Sequence, residues 1–200
     1  MKKTMLIIGI ILFSLNSNSQ NKTATLYLTN GDTIKGLAKI TAFGKIKFRY
    51  NKKSKKKIYL PNQLIKFDLN EHDSKNTYAY KYIQGNQRST KRKLMILITA
   101  GKIDLYRITT TTTSAPMAGS FGGMGGMVMS FTMDSYYVSR DDSDTVTKLT
   151  SRGTLFEKNF KKAASEYFKD CKSLVNKIQN KTYKKRDIEE IVEYYNTQCN

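Results

Sequence analysis

The chain has 200 residues, with 35 Lys and Arg against 16 Asp and Glu, a formal net charge of +19, one histidine, two cysteines and no tryptophan. That length suits a single domain with a real hydrophobic core. The charge draws polyanions and anionic surfaces but says little about fold, and one histidine without a Gly-x-Ser-x-Gly elbow argues against histidine-dependent hydrolysis.

At the start of the chain, Lys2 and Lys3 precede the apolar run Met5 to Leu15 and the polar stretch Asn16 to Gln20, the pattern of a secretory signal. Eleven apolar residues fall short of the roughly 20 that a membrane-spanning helix needs. Ser17 and Ser19 place the expected cut before Gln20, and no cysteine stands there for lipid attachment. Residues 1–19 are therefore expected to be removed, leaving 20–200 as one domain with no transmembrane span. Loss of Lys2 and Lys3 takes the charge from +19 to +17. The expected locations are the periplasm, the outer-membrane surface or the exterior.

From residue 24 to about 149 the hydrophobic period is two, which predicts an antiparallel sheet over 24–113 and 131–149. Asn30-Gly31-Asp32 supplies the positive φ angles of a tight hairpin between Thr25–Thr29 and Thr33–Ile40. Ile34, Gly36, Ala38 and Ile40 share one face. Ile46, Phe48 and Tyr50 alternate with Lys45, Lys47 and Arg49, as in a strand with one dry and one wet face. A turn over residues 51–57 holds five lysines. Pro61 then interrupts the ladder before Leu64–Leu69 resumes it.

Tyr78, Tyr80 and Tyr82 project together from the next strand. The unbroken apolar run Leu94–Ile98 predicts a central strand covered on both sides, and Thr109–Thr113 favours extended backbone. Residues 114–130, with five glycines and four methionines, read as a flexible loop. Strand character returns at Phe131–Ser139 and, after the turn Asp141-Asp142-Ser143-Asp144, at Thr145–Leu149.

Beyond Gly153 the period becomes helical, predicting helices within 154–199 packed on the sheet, so the fold class is α+β. Phe156, Phe160, Ala164, Tyr167, Phe168 and Cys171 form one stripe, and Ile188, Ile191, Val192, Tyr195 and Cys199 another. A shorter helix, Ser173–Gln179, lies between them. Asp187 and Glu190 are spaced as a capping box for the last helix. If the last two helices run antiparallel, Cys199 returns beside Cys171, and an exported chain favours the disulfide.

Candidate chemistry is sparse. His72, in the turn Glu71–Asn76, reads as a solvated residue, because a nucleophile or a metal needs further partners. Asp141, Asp142 and Asp144 lack the glycine and distal glutamate of an EF-hand loop, and Gly122–Gly126 lacks the lysine and Ser/Thr of a phosphate loop. Met124, Met127 and Met129, with Met117 and Met133 nearby, offer soft thioethers that suit Cu(I); a flexible apolar loop is the competing reading.

The basic candidates for anion binding are Lys52, Lys53, Lys55, Lys56, Lys57, Arg88, Lys91, Arg92 and Lys93. With Tyr78, Tyr80 and Tyr82 they would make a charged aromatic platform. No cofactor is expected. The expected partners are an anionic envelope polysaccharide or lipid surface, or an envelope protein; export disfavours nucleic acid.

The hairpin Asn30-Gly31-Asp32-Thr33-Ile34, the turn Leu60-Pro61-Asn62, and the tail sequences Tyr167-Phe168-Lys169-Asp170-Cys171 and Tyr194-Tyr195-Asn196 resemble a loose group of uncharacterised secreted proteins of Gram-negative bacteria. The resemblance spans most of the mature chain and implies a sheet-rich part with a helical tail. It implies no activity, ligand or site. The function expected is a non-enzymatic exported binding or structural module, with soft-metal binding as the alternative.

Overall fold

The computed structural model describes residues 21–71, 74–85, 91–114, 129–141, 143–152 and 160–199. The strands are β1 (Lys22–Leu28), β2 (Thr33–Ile40), β3 (Ile46–Arg49), β4 (Lys57–Tyr59), β5 (Leu64–Glu71), β6 (Ser74–Ile83), β7 (Lys93–Thr99), β8 (Ile103–Ser114), β9 (Met129–Arg140) and β10 (Thr145–Arg152). The helices are α1 (Phe160–Tyr167), α2 (Lys172–Gln179) and α3 (Ile188–Gln198). The α+β class and the change of period near residue 150 are both present.

The strands form one sheet in the order β10-β9-β8-β7-β6-β5-β1-β2-β3-β4. Every neighbouring pair is antiparallel, but the start of β10 also pairs in parallel with the end of β6, Thr145 against Tyr82 and Val146 against Ile83. That seam closes β6–β10 into a five-stranded barrel. Because successive side chains point to opposite faces, closure splits the apolar residues into separate cores. Ala79, Met95, Tyr106, Tyr137 and Val146 cluster on the enclosed face. Ile103, Leu105, Tyr136, Val138 and Leu149 lie outside, beneath the helices. A third cluster, including Leu26, Ile46, Phe48, Leu64, Phe67 and Tyr80, belongs to the β1–β6 half.

Leu94–Ile98 runs through the middle of the order, as its unbroken apolarity predicts. Leu94 packs with the N-terminal cluster, Met95 and Leu97 with the barrel interior, and Ile98 with the helices. Gly36 is required by close approach: a Cβ there would meet the Phe48 ring and the Arg49 carbonyl. At the first hairpin only Gly31 takes a positive φ, +91°. The Leu28 N–H donates to the Asp32 carbonyl at 2.9 Å across residues 29–31, so the turn is wider than the two-residue type that the Asn-Gly pair suggests.

The helices are fastened at three points. Cys171, just before α2, and Cys199, just after α3, are disulfide-bonded with Cα atoms 5.6 Å apart. Asn196 of α3 pairs with both backbone groups of Ile103 at the start of β8, at 2.8 and 2.9 Å, above Gly101, where any side chain would collide with that amide. Arg140 at the end of β9 grips Asp170 through two 3.0 Å bonds and lies against the rings of Tyr167 and Tyr195, at 5.1 and 4.9 Å. The tail sequences around Tyr167–Cys171 and Tyr194–Asn196 thus serve as fasteners. The expected Asp187–Glu190 capping box is not formed. The Asp187 carboxylate turns back to accept from the Lys184 N–H at 2.8 Å, capping the short turn before α3 instead.

Two measurements test these fasteners. The disulfide closes 28 residues, which corresponds to roughly 3 to 4 kcal/mol in the chain-entropy account, so the Cys171→Ser/Cys199→Ser protein should lose about that much in urea unfolding. Burial pushes the Asp170 carboxyl up, but bonds from Arg140 and Tyr195 outweigh it and hold the group below its ordinary value. Its stabilisation is therefore present above the unfolded value of about 3.9 and is lost as pH falls through the folded one. Asp170→Asn should be less stable at neutral pH and lose less on acidification below about pH 4 than the wild type, read from urea midpoints across pH.

Candidate functional site

A cleft of about 580 Å³ lies where the N-terminal half meets the barrel. It is lined by Phe43 and Gly44 from the β2–β3 turn, Leu60, Pro61 and Asn62 from the turn before β5, Tyr80 and Tyr82 of β6, and Lys91 to Leu94 leading into β7. No carboxylate lines it among the described residues. Phe43 is 87% exposed, and Leu60 and Tyr82 are each 40% exposed. Lys91 and Lys93 are exposed beside them.

Local structure accounts for each position. Gly44 takes φ +68°, and the turn closes on itself through Thr41 N–H to Lys45 O and Gly44 N–H to Thr41 O, both 2.9 Å. The buried Tyr80 hydroxyl donates to the Gly44 carbonyl, fixing the turn against β6; burial pushes that phenol well above its ordinary value, so it stays a neutral donor. Pro61 starts a single turn of 3-10 helix, Pro61–Gln63, and the Gln63 side chain accepts from the Leu60 N–H at 2.9 Å. Both turns are thus internally satisfied and present their apolar side chains outward.

Arg92 holds the floor together. Its guanidinium donates to the carbonyls of Tyr80 at 3.0 Å, Pro61 at 3.3 Å and Leu64 at 3.1 Å, and to the Asp144 carboxylate at 2.6 Å. Of the basic residues expected to bind anions, this one is committed to the fold.

The remaining predicted residues divide. Lys91 and Lys93 share the cleft. Lys52 lines a separate cleft of about 700 Å³ with Lys35, Tyr50, Asp68, Asn70 and Lys75. There, burial pushes the Asp68 carboxyl up, but Lys75 at 3.0 Å and Thr77 at 2.8 Å outweigh it and hold it low. Lys53, Lys55 and Lys56 are exposed on the turn before β4, and the Lys57 ammonium lies 4.8 Å from the Tyr59 ring centroid. Arg88 lies outside the described residues, as do His72, Asp142, Met117, Met124 and Met127; Met129 begins β9, but its side chain is not described.

The tyrosine platform does not exist as expected. Tyr80 is buried, and Tyr78 stacks on Phe67 at 5.2 Å, because their shared face is the N-terminal core. Tyr78 is half-buried, and of the three only Tyr82 is exposed. Sequence reading missed Phe43 altogether; the available signal was a lone aromatic beside glycine in the five-residue turn, residues 41–45, between two alternating strands.

Among the described residues no three His, Cys, Asp or Glu side chains converge as metal ligands, and no helix is long and apolar enough to cross a membrane. No protein-family model, curated protein or solved structure matches the chain. The cleft is an apolar trough with cationic edges, suited to holding a ligand that carries negative charge beside an apolar part.

Arg92→Ala strands three carbonyls and a carboxylate, and should cost about 2 to 3 kcal/mol, with the partly exposed Asp144 pair contributing the smaller share. Urea unfolding checks the loss.

Proposed function

We propose that this protein is an exported, non-enzymatic module of the cell envelope that binds anionic surface material through the cleft between the β2–β3 turn and β7. The observation that carries the reading is the cleft's composition. Phe43, Leu60 and Tyr82 stand exposed beside Lys91 and Lys93, with no carboxylate among the described lining residues. The surplus of basic residues acts in the same direction at longer range by raising the local concentration of polyanions.

Export rests on the signal pattern of residues 1–19. The non-enzymatic character rests on the lone histidine and the missing nucleophile and phosphate-loop motifs. An envelope location makes acidic polysaccharide and anionic lipid headgroups the available polyanions.

Retention by alginate beads and by phosphatidylglycerol vesicles tests this reading. Binding to at least one should fall tenfold or more as salt rises from about 0.05 to about 0.5 M, because contacts between exposed charges are screened over that range. Lys91→Glu/Lys93→Glu should weaken the same binding at low salt. Salt-independent retention, or none on either material, would overturn it.

A further inference from the structure

The cleft does not stand alone on its side of the molecule. Residues 42–45 form the tip of the β2–β3 hairpin, and there Phe43 is the most exposed large apolar side chain among the described residues. A single exposed hydrophobe carries no message. Phe43, however, shares one cleft with Leu60 and Tyr82, and three such side chains rimmed by cations make a patch with a purpose.

Burial cannot relieve Phe43's exposure by local collapse. The turn is locked by its own hydrogen bonds and by the Tyr80 hydroxyl on Gly44. The backbone groups of Thr41, Gly44 and Lys45 are paired in this way, so the tip keeps its shape and goes on presenting the Phe43 ring outward. Lys45 follows Phe43 by two residues and is exposed, and Lys91 and Lys93 stand across the cleft. Tyr82 has its ring partly outside and Arg92 at 6.0 Å, the apolar-body, polar-tip character that favours the boundary between headgroups and chains.

Resting on the reading above, we propose that the material bound is an anionic lipid surface, with Phe43 inserting among the acyl chains and Lys45, Lys91 and Lys93 meeting the phosphates. An acidic polysaccharide would satisfy the lysines but would leave Phe43 and Leu60 in water. A bilayer takes up both parts of the patch. The proposal concerns docking onto a surface and needs no segment that spans it.

The absence of tryptophan from the chain makes Phe43→Trp a single-site reporter at a position that packs against little. With vesicles containing about one-third phosphatidylglycerol in phosphatidylcholine, its emission should shift to the blue and be quenched by brominated acyl chains. With alginate in solution it should do neither. Phe43→Ser should lower vesicle affinity roughly tenfold or more, and Lys91→Glu/Lys93→Glu should do the same by removing headgroup attraction. Circular dichroism of both variants should match the wild type.

Retention on the vesicles with unchanged indole emission would sink the lipid proposal and leave the broader anionic reading standing. So would binding to alginate alone. Equal binding to pure phosphatidylcholine would remove the role of the lysines, and failure to bind either material would overturn both readings.

Discussion

The guanidinium of Arg92 is the joint on which the molecule turns. It sits where three pieces of chain meet: strand β6, the turn before β5, and the turn that leads into β10. Each ends there on a carbonyl or carboxylate that needs a donor. Arginine alone offers several N–H groups in a fixed planar fork, so it can satisfy the three carbonyls and Asp144 together. Next to it, the Lys81 ammonium reaches the Ser143 carbonyl at 2.6 Å, and the Tyr82 N–H bonds Asp144 O at 2.8 Å. These contacts hold the parallel seam. With the seam shut, alternate side chains of β6–β10 are enclosed and the others become the platform for the helices. The cleft is the outer side of the same joint, so the bonds that shut the barrel also hold its floor.

The C-terminal helices show a different economy of contacts. Their apolar stripe supplies the bulk of the adhesion, but apolar packing alone tolerates sliding. Asn196 on the Ile103 backbone and Arg140 on Asp170 are directional, so they select one register. The disulfide then limits how far α2 and α3 can separate. Phe168 lies between these fasteners, buried and 5.3 Å from the Tyr195 ring, which links the polar anchors to the core.

Most of the local structure was legible in the sequence because it obeys local rules. The two-residue alternation of Ile46 and Phe48, the Pro61 break, the helical stripe through Phe160 and Ala164, and the return of Cys199 to Cys171 all depend on spacing along the chain. What escaped depends on distant partners. The β6–β10 seam leaves no mark at Tyr82 or Thr145, since two residues of parallel pairing impose no pattern. Arg92 looked like one member of a lysine-rich run, and only the fold reveals four acceptors around it. Tyr80 was misplaced because alternation tells that Tyr78, Tyr80 and Tyr82 share a face without telling that the face is a core. The cleft was legible only in its lysines.

The closing pair of the barrel joins positions some 62 residues apart in the chain, judged by Lys81 and Ser143, whereas its other pairings join strands adjacent in sequence. Loop-closure entropy grows with the logarithm of separation, so that contact costs about 2 kcal/mol more to form than a four-residue hairpin. Assembly therefore has a built-in order. The consecutive hairpins can zip as local units, while the enclosed core stays open to water until β10 arrives. Closure of the barrel therefore waits on one short parallel junction, whose entropic cost is set by separation along the chain more than by the apolar surface it encloses.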